Sequence, residues 1–228
     1  MTSATLEPLD PVAIDDAVVL VVDDDAALRH ALGSLFRSVG FTVRLHASAA
    51  ELLDDPVLDA PPLNSALPDV ACCLLLDVRL RGASGLDLQA RLAQLGVEIP
   101  IIFMTGHGDI AMTVTAMKAG AVDFITKPFR DQDLLDAVTA ALEKDRQRRL
   151  GSRRLNEIRA CYQTLSPREA EVMGLAVRGL LNKQIAGEIG ISEVTVKIHR
   201  GQAMRKMKAR TFADLVLMAQ QLGVHAAA

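Results

Sequence analysis

The chain has 228 residues, half of them hydrophobic and only 3% aromatic, with no Trp and a single Tyr, so there is length for one large domain or two small ones with aliphatic cores. The formal charge of -3 averages two unlike halves: residues 1–143 carry 9 basic and 21 acidic side chains, residues 144–228 carry 16 and 7. That split predicts an acidic module joined to one that suits a polyanion.

The three cysteines, Cys72, Cys73 and Cys161, form no CxxC or zinc-ligand spacing and fit buried free thiols in a reducing compartment. The N-terminal segment lacks the basic start and apolar core of a signal peptide, and no apolar run reaches membrane length. A cytoplasmic protein without membrane association is expected.

In chain order, "AVVLVVDDD" (17–25) is an apolar run ending in acids. The stretch after it has apolar residues at helical spacing (Leu28, Leu32, Leu35, Phe36, Val39) and closes on Gly40, a C-cap candidate. "FTVRL" alternates like a strand, "SAAELL" is helical, and a Pro-rich loop runs from Pro56 to Pro68. "ACCLLLD" ends a buried strand on Asp77; helix "GLDLQARLAQLG", strand "IPIIFMTG", helix "DIAMTVTAMKAG", strand "AVDFITKP" and helix "DLLDAVTAALEKDRQRR" follow. Strand and helix thus alternate five times, which predicts an α/β fold with a five-stranded parallel sheet, doubly wound. Residues 143–164 read as a linker, partly continuous with the preceding helix. The remainder reads as helices only: "SPREAEVMGLAVRG" with a capping box at Ser166 and Glu169, "NKQIAGEIG", "SEVTVKIHRGQAMRKMKAR" capped by Ser192, and "TFADLVLMAQQLG" with Thr211 and Asp214 in the same box relation. Met112, Met117, Met173, Met204 and Met207 fall at helical positions and read as core, while His30, His46 and His225 fit no ligand spacing.

The polar residues of the first module stand at strand C-termini: Asp23 and Asp24, Asp77, Thr105, Lys127. In an open α/β sheet that edge is where sites form. Aspartates held close together raise one another's pKa unless a cation intervenes, and a hard, oxygen-preferring ion such as Mg2+ would serve. A carboxylate, Mg2+, a lysine and a hydroxyl suit phosphoryl transfer. Acids after a strand are ordinarily helix N-caps, and a lone strand-end Lys or Thr carries no meaning. Only the set of five, spread over four strand ends, points to chemistry.

Residues 17–142 resemble the receiver domain of two-component response regulators. "TGHGDIAMTVTAMKAGAVDFITKPF" (105–129) is especially similar to the nitrogen-fixation-regulator branch, which includes the styrene and toluene catabolic regulators. The resemblance implies that Asp77 is the phospho-acceptor and that Asp23 and Asp24 are the acidic pair, Asp24 the more direct Mg2+ ligand. The third protein ligand it implies is a backbone carbonyl of Val78 or Arg79, the family pattern favouring Arg79. Thr105 becomes the switch hydroxyl, Lys127 the phosphate-binding lysine, Phe124 the rotating aromatic, and Lys127–Pro128 a cis bond. Arg81 departs from the family, which usually has proline there. It adds flexibility and positive field near the site, so phosphoryl lifetime or partner docking is what it would alter. His107 lies in the family's loop beside the site, as consistent with structure as with function. A phosphatase using the same aspartate would need a second Asp two residues on, where this chain has Arg79.

In the basic module, Ile185, Ile189, Ile191, Val194, Val196 and Met204 can pack two helices joined at "GIS", the second presenting Lys197, His199, Arg200, Arg205, Lys206 and Lys208. A helix–turn–helix on DNA and a protein-docking helical module both fit that pattern. Residues 165–225 resemble the quorum-regulator type of helix–turn–helix. This implies an all-α DNA-binding domain in which Lys197, Ile198 and Gly201 face base edges and Thr195, His199, Arg200 and Lys183 lie nearer the backbone. Gly201 stands where relatives carry a long polar side chain. The last helix, through Leu215, Met218 and Ala219, is equally a dimer contact or plain core. Taken together the resemblances imply a non-enzymatic transcriptional regulator. It would be phosphorylated by a sensor histidine kinase, homodimeric when phosphorylated through a face around residues 110–124, and bound to promoter DNA, with RNA polymerase a candidate partner.

Overall fold

The computed structural model describes residues 17–59, 70–106 and 110–224. Most of the Pro-rich loop, His107 and His225 lie outside the described residues. The chain forms two compact units, Met1–Arg149 and Leu150–Ala228.

In the first unit, strands β1 (Ala17–Val22), β2 (Thr42–His46), β3 (Ala71–Asp77), β4 (Ile101–Thr105) and β5 (Asp123–Thr126) form one parallel sheet in the order β2-β1-β3-β4-β5. The continuous apolar runs of β1, β3 and β4 are those of strands buried on both faces. Alternation divides them between two cores. Val18, Leu20, Val22, Cys72, Leu74 and Leu76 face α2 (Ala49–Leu53), α3 (Gly85–Gln94) and α4 (Ile110–Lys118), meeting Leu52, Leu88, Leu92 and Ala116. Val19, Val21, Cys73 and Leu75 face α1 (Ala26–Ser38) and α5 (Asp131–Gln163), meeting Leu32, Phe36, Leu134 and Val138. A single helical turn, Pro56–Asp59, follows α2.

The register sets the site. Val22 is level with both His46 and Leu76, Asp77 with Met104, and Thr105 with Thr126. The residues just beyond these strand ends therefore meet at one edge. The opposite end of β3 is held differently. The Leu74 N–H reaches the Pro100 carbonyl, but two residues earlier β4 has not begun, and the Cys72 N–H is bonded instead by the Asp145 carboxylate of α5 at 2.9 Å. Asp145 also takes Arg149 Nε at 2.5 Å and Arg148 Nη2 at 2.8 Å, and Arg149 Nη2 lies 3.2 Å from Cys72 Sγ. Burial, then the charge of Asp145, pushes the Cys72 thiol up to about 11, so it is an inert packing group at neutral pH.

The second unit is helical: the end of α5, then α6 (Pro167–Val177), α7 (Asn182–Ile189), α8 (Glu193–Lys206) and α9 (Phe212–Gln221). Where the sequence suggests a linker at 143–164, α5 remains helical through Gln163, and Ile158, Cys161 and Tyr162 pack into the helical core. The caps at Ser166, Ser192 and Thr211 form as expected, the first and last with reciprocal bonds from Glu169 and Asp214. Gly190 ends α7 in the left-handed conformation (φ 69°), which turns the chain into α8. Two residues expected inside lie outside: Val194 is 69% exposed and Met117 is 40% exposed, because the buried stripes of their helices run through Val196 and Ala116. On α9, Leu215 and Ala219 are core and Leu217 faces out. Among the described residues no helix is long and apolar enough to cross a membrane.

Candidate functional site

Asp23 and Asp24 follow β1, and Asp77 ends β3. One carboxylate oxygen from each lies within 4.8 Å of the others. Asp23 is wholly buried and is fixed by its neighbours: its Oδ1 accepts the Asp25 N–H at 2.8 Å, its carbonyl accepts Arg29 Nη1, and its N–H donates to the His46 carbonyl. Asp25 is the N-cap of α1, receiving the Ala27 and Leu28 N–H groups. Of three consecutive acids, one caps a helix and two enter the site.

Lys127, just after β5, places Nζ 2.8 Å from Asp23 Oδ2 and 2.6 Å from Asp77 Oδ2. Its N–H donates to the Thr105 carbonyl, and Lys127–Pro128 is cis. Burial pushes the Asp23 carboxyl above its ordinary pKa, while the bond to Lys127 pulls the other way. Burial alone would lower the Lys127 pKa, but its bonds to Asp23 and Asp77 raise it, so the ammonium stays charged. Asp77 Oδ1 accepts the Arg79 N–H at 3.0 Å. An all-oxygen set of this size fits a hard divalent cation better than a soft one. Thr105 is buried at the end of β4, Phe124 is 41% exposed on the edge strand β5, level with Phe103, and Val114 and Met117 of α4 are exposed as well.

Three contacts were not legible in the sequence. Arg81 Nε bonds Asp24 Oδ2 at 2.8 Å. Gly85 leaves no room for a Cβ, which would collide with the Asp77 carbonyl oxygen and lie 3.1 Å from the Phe103 ring. His46, beside Asp23, turns its ring to Asp55 at 2.8 Å. The Gly85 and Asp55 contacts depend on packing; only an arginine four residues past Asp77 offered a hint for Arg81.

In the helical unit, Val194, Lys197, Ile198 and Gly201 are exposed along one stripe of α8, and Lys183 is exposed on α7. Thr195 is half-buried, its hydroxyl 2.8 Å from Ser192 Oγ. Arg200 is drawn inward: Nη1 donates to Asn182 Oδ1 at 3.2 Å and the guanidinium lies 4.3 Å from the Phe212 ring centroid. His199 Nδ1 is buried without a hydrogen-bond partner.

A doubly wound sheet that gathers three carboxylates and a lysine at its C-terminal edge, in a chain that continues into a helix–turn–helix, defines a regulator with a receiver and a DNA-binding output. The model of the response regulator receiver domain matches residues 19–139, and that of the bacterial regulatory proteins of the luxR family matches residues 163–219. The chain belongs to the two-component response regulators that join these two domains. It is 55% identical to nodulation protein W of Bradyrhizobium diazoefficiens over 210 residues, 92% of this chain and 88% of that one. It is 47% identical to response regulator protein TmoT of Ectopseudomonas mendocina over 208 residues, covering 91% and 90%. The low-resolution structure of response regulator StyR matches with a TM-score of 0.75 at 43% identity, over 90% of this chain and 99% of that one. This chain is accordingly a DNA-binding response regulator, with a kinase and DNA as its classes of partner.

Proposed function

We propose that Asp77 is the phospho-acceptor. The P–N bond of a kinase phosphohistidine breaks, a P–O bond to the Asp77 carboxylate forms, and the leaving imidazole takes its proton from solvent. The observation that carries this is Lys127 Nζ, 2.6 Å from Asp77 and 2.8 Å from Asp23, in a cluster of three carboxylates. Lys127 pairs with the acceptor carboxylate and neutralises incoming phosphoryl oxygens. Asp23, Asp24, Asp77 and the Arg79 carbonyl would hold Mg2+, which supplies charge neutralisation at the transferring group.

Residues 17–142 then act as the receiver, 143–164 as the connector and 165–225 as the DNA-binding domain. Thr105 and Phe124 form the switch between two packings, and the exposed Val114, Met117 and Phe124 support a dimer face that the phosphorylated form uses. On DNA, α8 would enter the major groove, with Lys197, Ile198 and Gly201 at base edges and Thr195, Lys183, His199 and Arg200 toward the backbone. The inward ties of Arg200 make it more a support for α8 than a phosphate ligand. RNA polymerase is the downstream partner this reading calls for.

The test is labelling with radioactive acetyl phosphate in Mg2+. Wild type should take up label that acid, base and hydroxylamine all release, as they release an acyl phosphate, and Asp77→Asn none; acid-stable label would refute the assignment. Undiminished label on the variant would move the acceptor elsewhere.

A further inference from the structure

Two of the three site carboxylates share Lys127; the third, Asp24, is held by Arg81. Arg81 occupies the tip of a tight turn. The two-residue ladder Arg79–Leu80 with Ala83–Ser84 pairs Arg79 with Ser84 and Leu80 with Ala83, leaving Arg81 and Gly82 as the connection. Gly82 has φ 79°, a conformation that glycine supplies without steric cost. The turn projects Arg81 over the edge where Asp24 lies, and its side chain remains 87% exposed while its Nε is 2.8 Å from Asp24 Oδ2. Nothing but that ion pair is needed to explain where the guanidinium sits.

We infer that Arg81 is a displaceable counter-ion that sets the divalent-metal threshold of the site. The inference rests on the reading of Asp23, Asp24 and Asp77 as metal ligands. Three carboxylates bring three negative charges, and Lys127 and Arg81 together offset two of them in the metal-free protein. A guanidinium has five donors and no acceptor, so it cannot ligate the metal itself and yields Asp24 to a cation that competes for the same carboxylate. It can do so without disturbing the core because it is exposed. Binding of the ion therefore weakens one exposed ion pair and brings a dication beside a guanidinium, and both effects lower apparent affinity. Arg81 lowers the occupancy of the site at a given Mg2+ concentration and steadies the acid cluster when the metal is absent.

The test is calorimetric titration of the full-length protein with MgCl2, a readout suited to a chain without Trp. In dilute buffer Arg81→Ala should bind Mg2+ about three- to five-fold more tightly than wild type, the range of an exposed ion pair, and Arg81→Lys should fall between. The gap should close at about 1 M salt, where the screening length is about 3 Å. Arg81→Ala should also melt lower than wild type without Mg2+ and level with it at saturation; a merely structural role would shift both. Equal or weaker Mg2+ binding by Arg81→Ala, with wild type still binding, overturns the inference and leaves the metal reading standing. Absence of binding in wild type and Arg81→Ala alike overturns the metal reading, and the inference with it.

Discussion

The two units organise their polar contacts on different length scales. In the sheet unit, Lys127 reaches Asp23 across 104 positions and Asp77 across 50, and Asp145 reaches Cys72 across 73. In the helical unit the pairs Ser166–Glu169, Ser192–Thr195 and Thr211–Asp214 are three positions apart, and the longer ties are those of Lys206, to Glu169 across 37 and to the Thr164 carbonyl across 42, and of Arg200 to Asn182 across 18. Their electrostatics differ as well. Burial holds Asp23 above its ordinary pKa, whereas the Lys206 bond, then the Ser166 N–H, holds Glu169 below its own. The contrast teaches that the sheet-edge site is assembled by register and keeps a carboxylate in a costly setting for use. The helical unit is set by local caps, and its buried carboxylate, Glu169, is paired.

The sharpest break in this comparison is Asp145→Ala. It removes the acceptor of the Cys72 N–H and the carboxylate against which Arg149 is buried, and should cost about 3–5 kcal/mol in urea unfolding. A loss below about 1 kcal/mol would show that the far end of the sheet does not depend on this long-range tie. Next comes Gly85→Ala. Its methyl meets the Asp77 carbonyl, a backbone atom that cannot turn away, so about 1–3 kcal/mol should be lost and acetyl-phosphate labelling slowed. Labelling at the wild-type rate would mean that β3 yields without moving Asp77.

Ser166→Ala should cost about 1 kcal/mol through loss of a single cap. Labelling of Asp77 should be unchanged; altered labelling would refute the local character assigned to the helical unit's contacts. The smallest effect concerns pH. A carboxylate with a lowered folded pKa contributes stability that is complete above its unfolded value, near 4.5, and is lost as pH falls through the folded value. Thermal melts across that acid range should therefore decline less steeply for Glu169→Gln than for wild type, with the two curves parallel above it. Parallel curves throughout would remove Glu169 from the acid response.

Much of this protein is written in its order of residues. The apolar runs ending on Asp23 and Asp77, the helical spacing between them, and the Ser–x–x–Glu and Thr–x–x–Asp signatures specify strands, helices and caps, because these depend on neighbours within a turn or two. So do the five polar residues at strand ends, since a parallel sheet always delivers strand C-termini to one edge. Periodicity also marked α8 as basic, but it could not say that Val194 would face out or that Arg200 would turn in toward Asn182 and Phe212. Which aspartate Lys127 would bond, that Asp145 would complete β3, that Gly85 must lack a side chain, and that Arg81 would hold Asp24 were decided by the tertiary structure alone. Each depends on atoms brought within about 3 Å by register and packing between segments remote in sequence, and a hydrogen bond or steric contact acts only at that range.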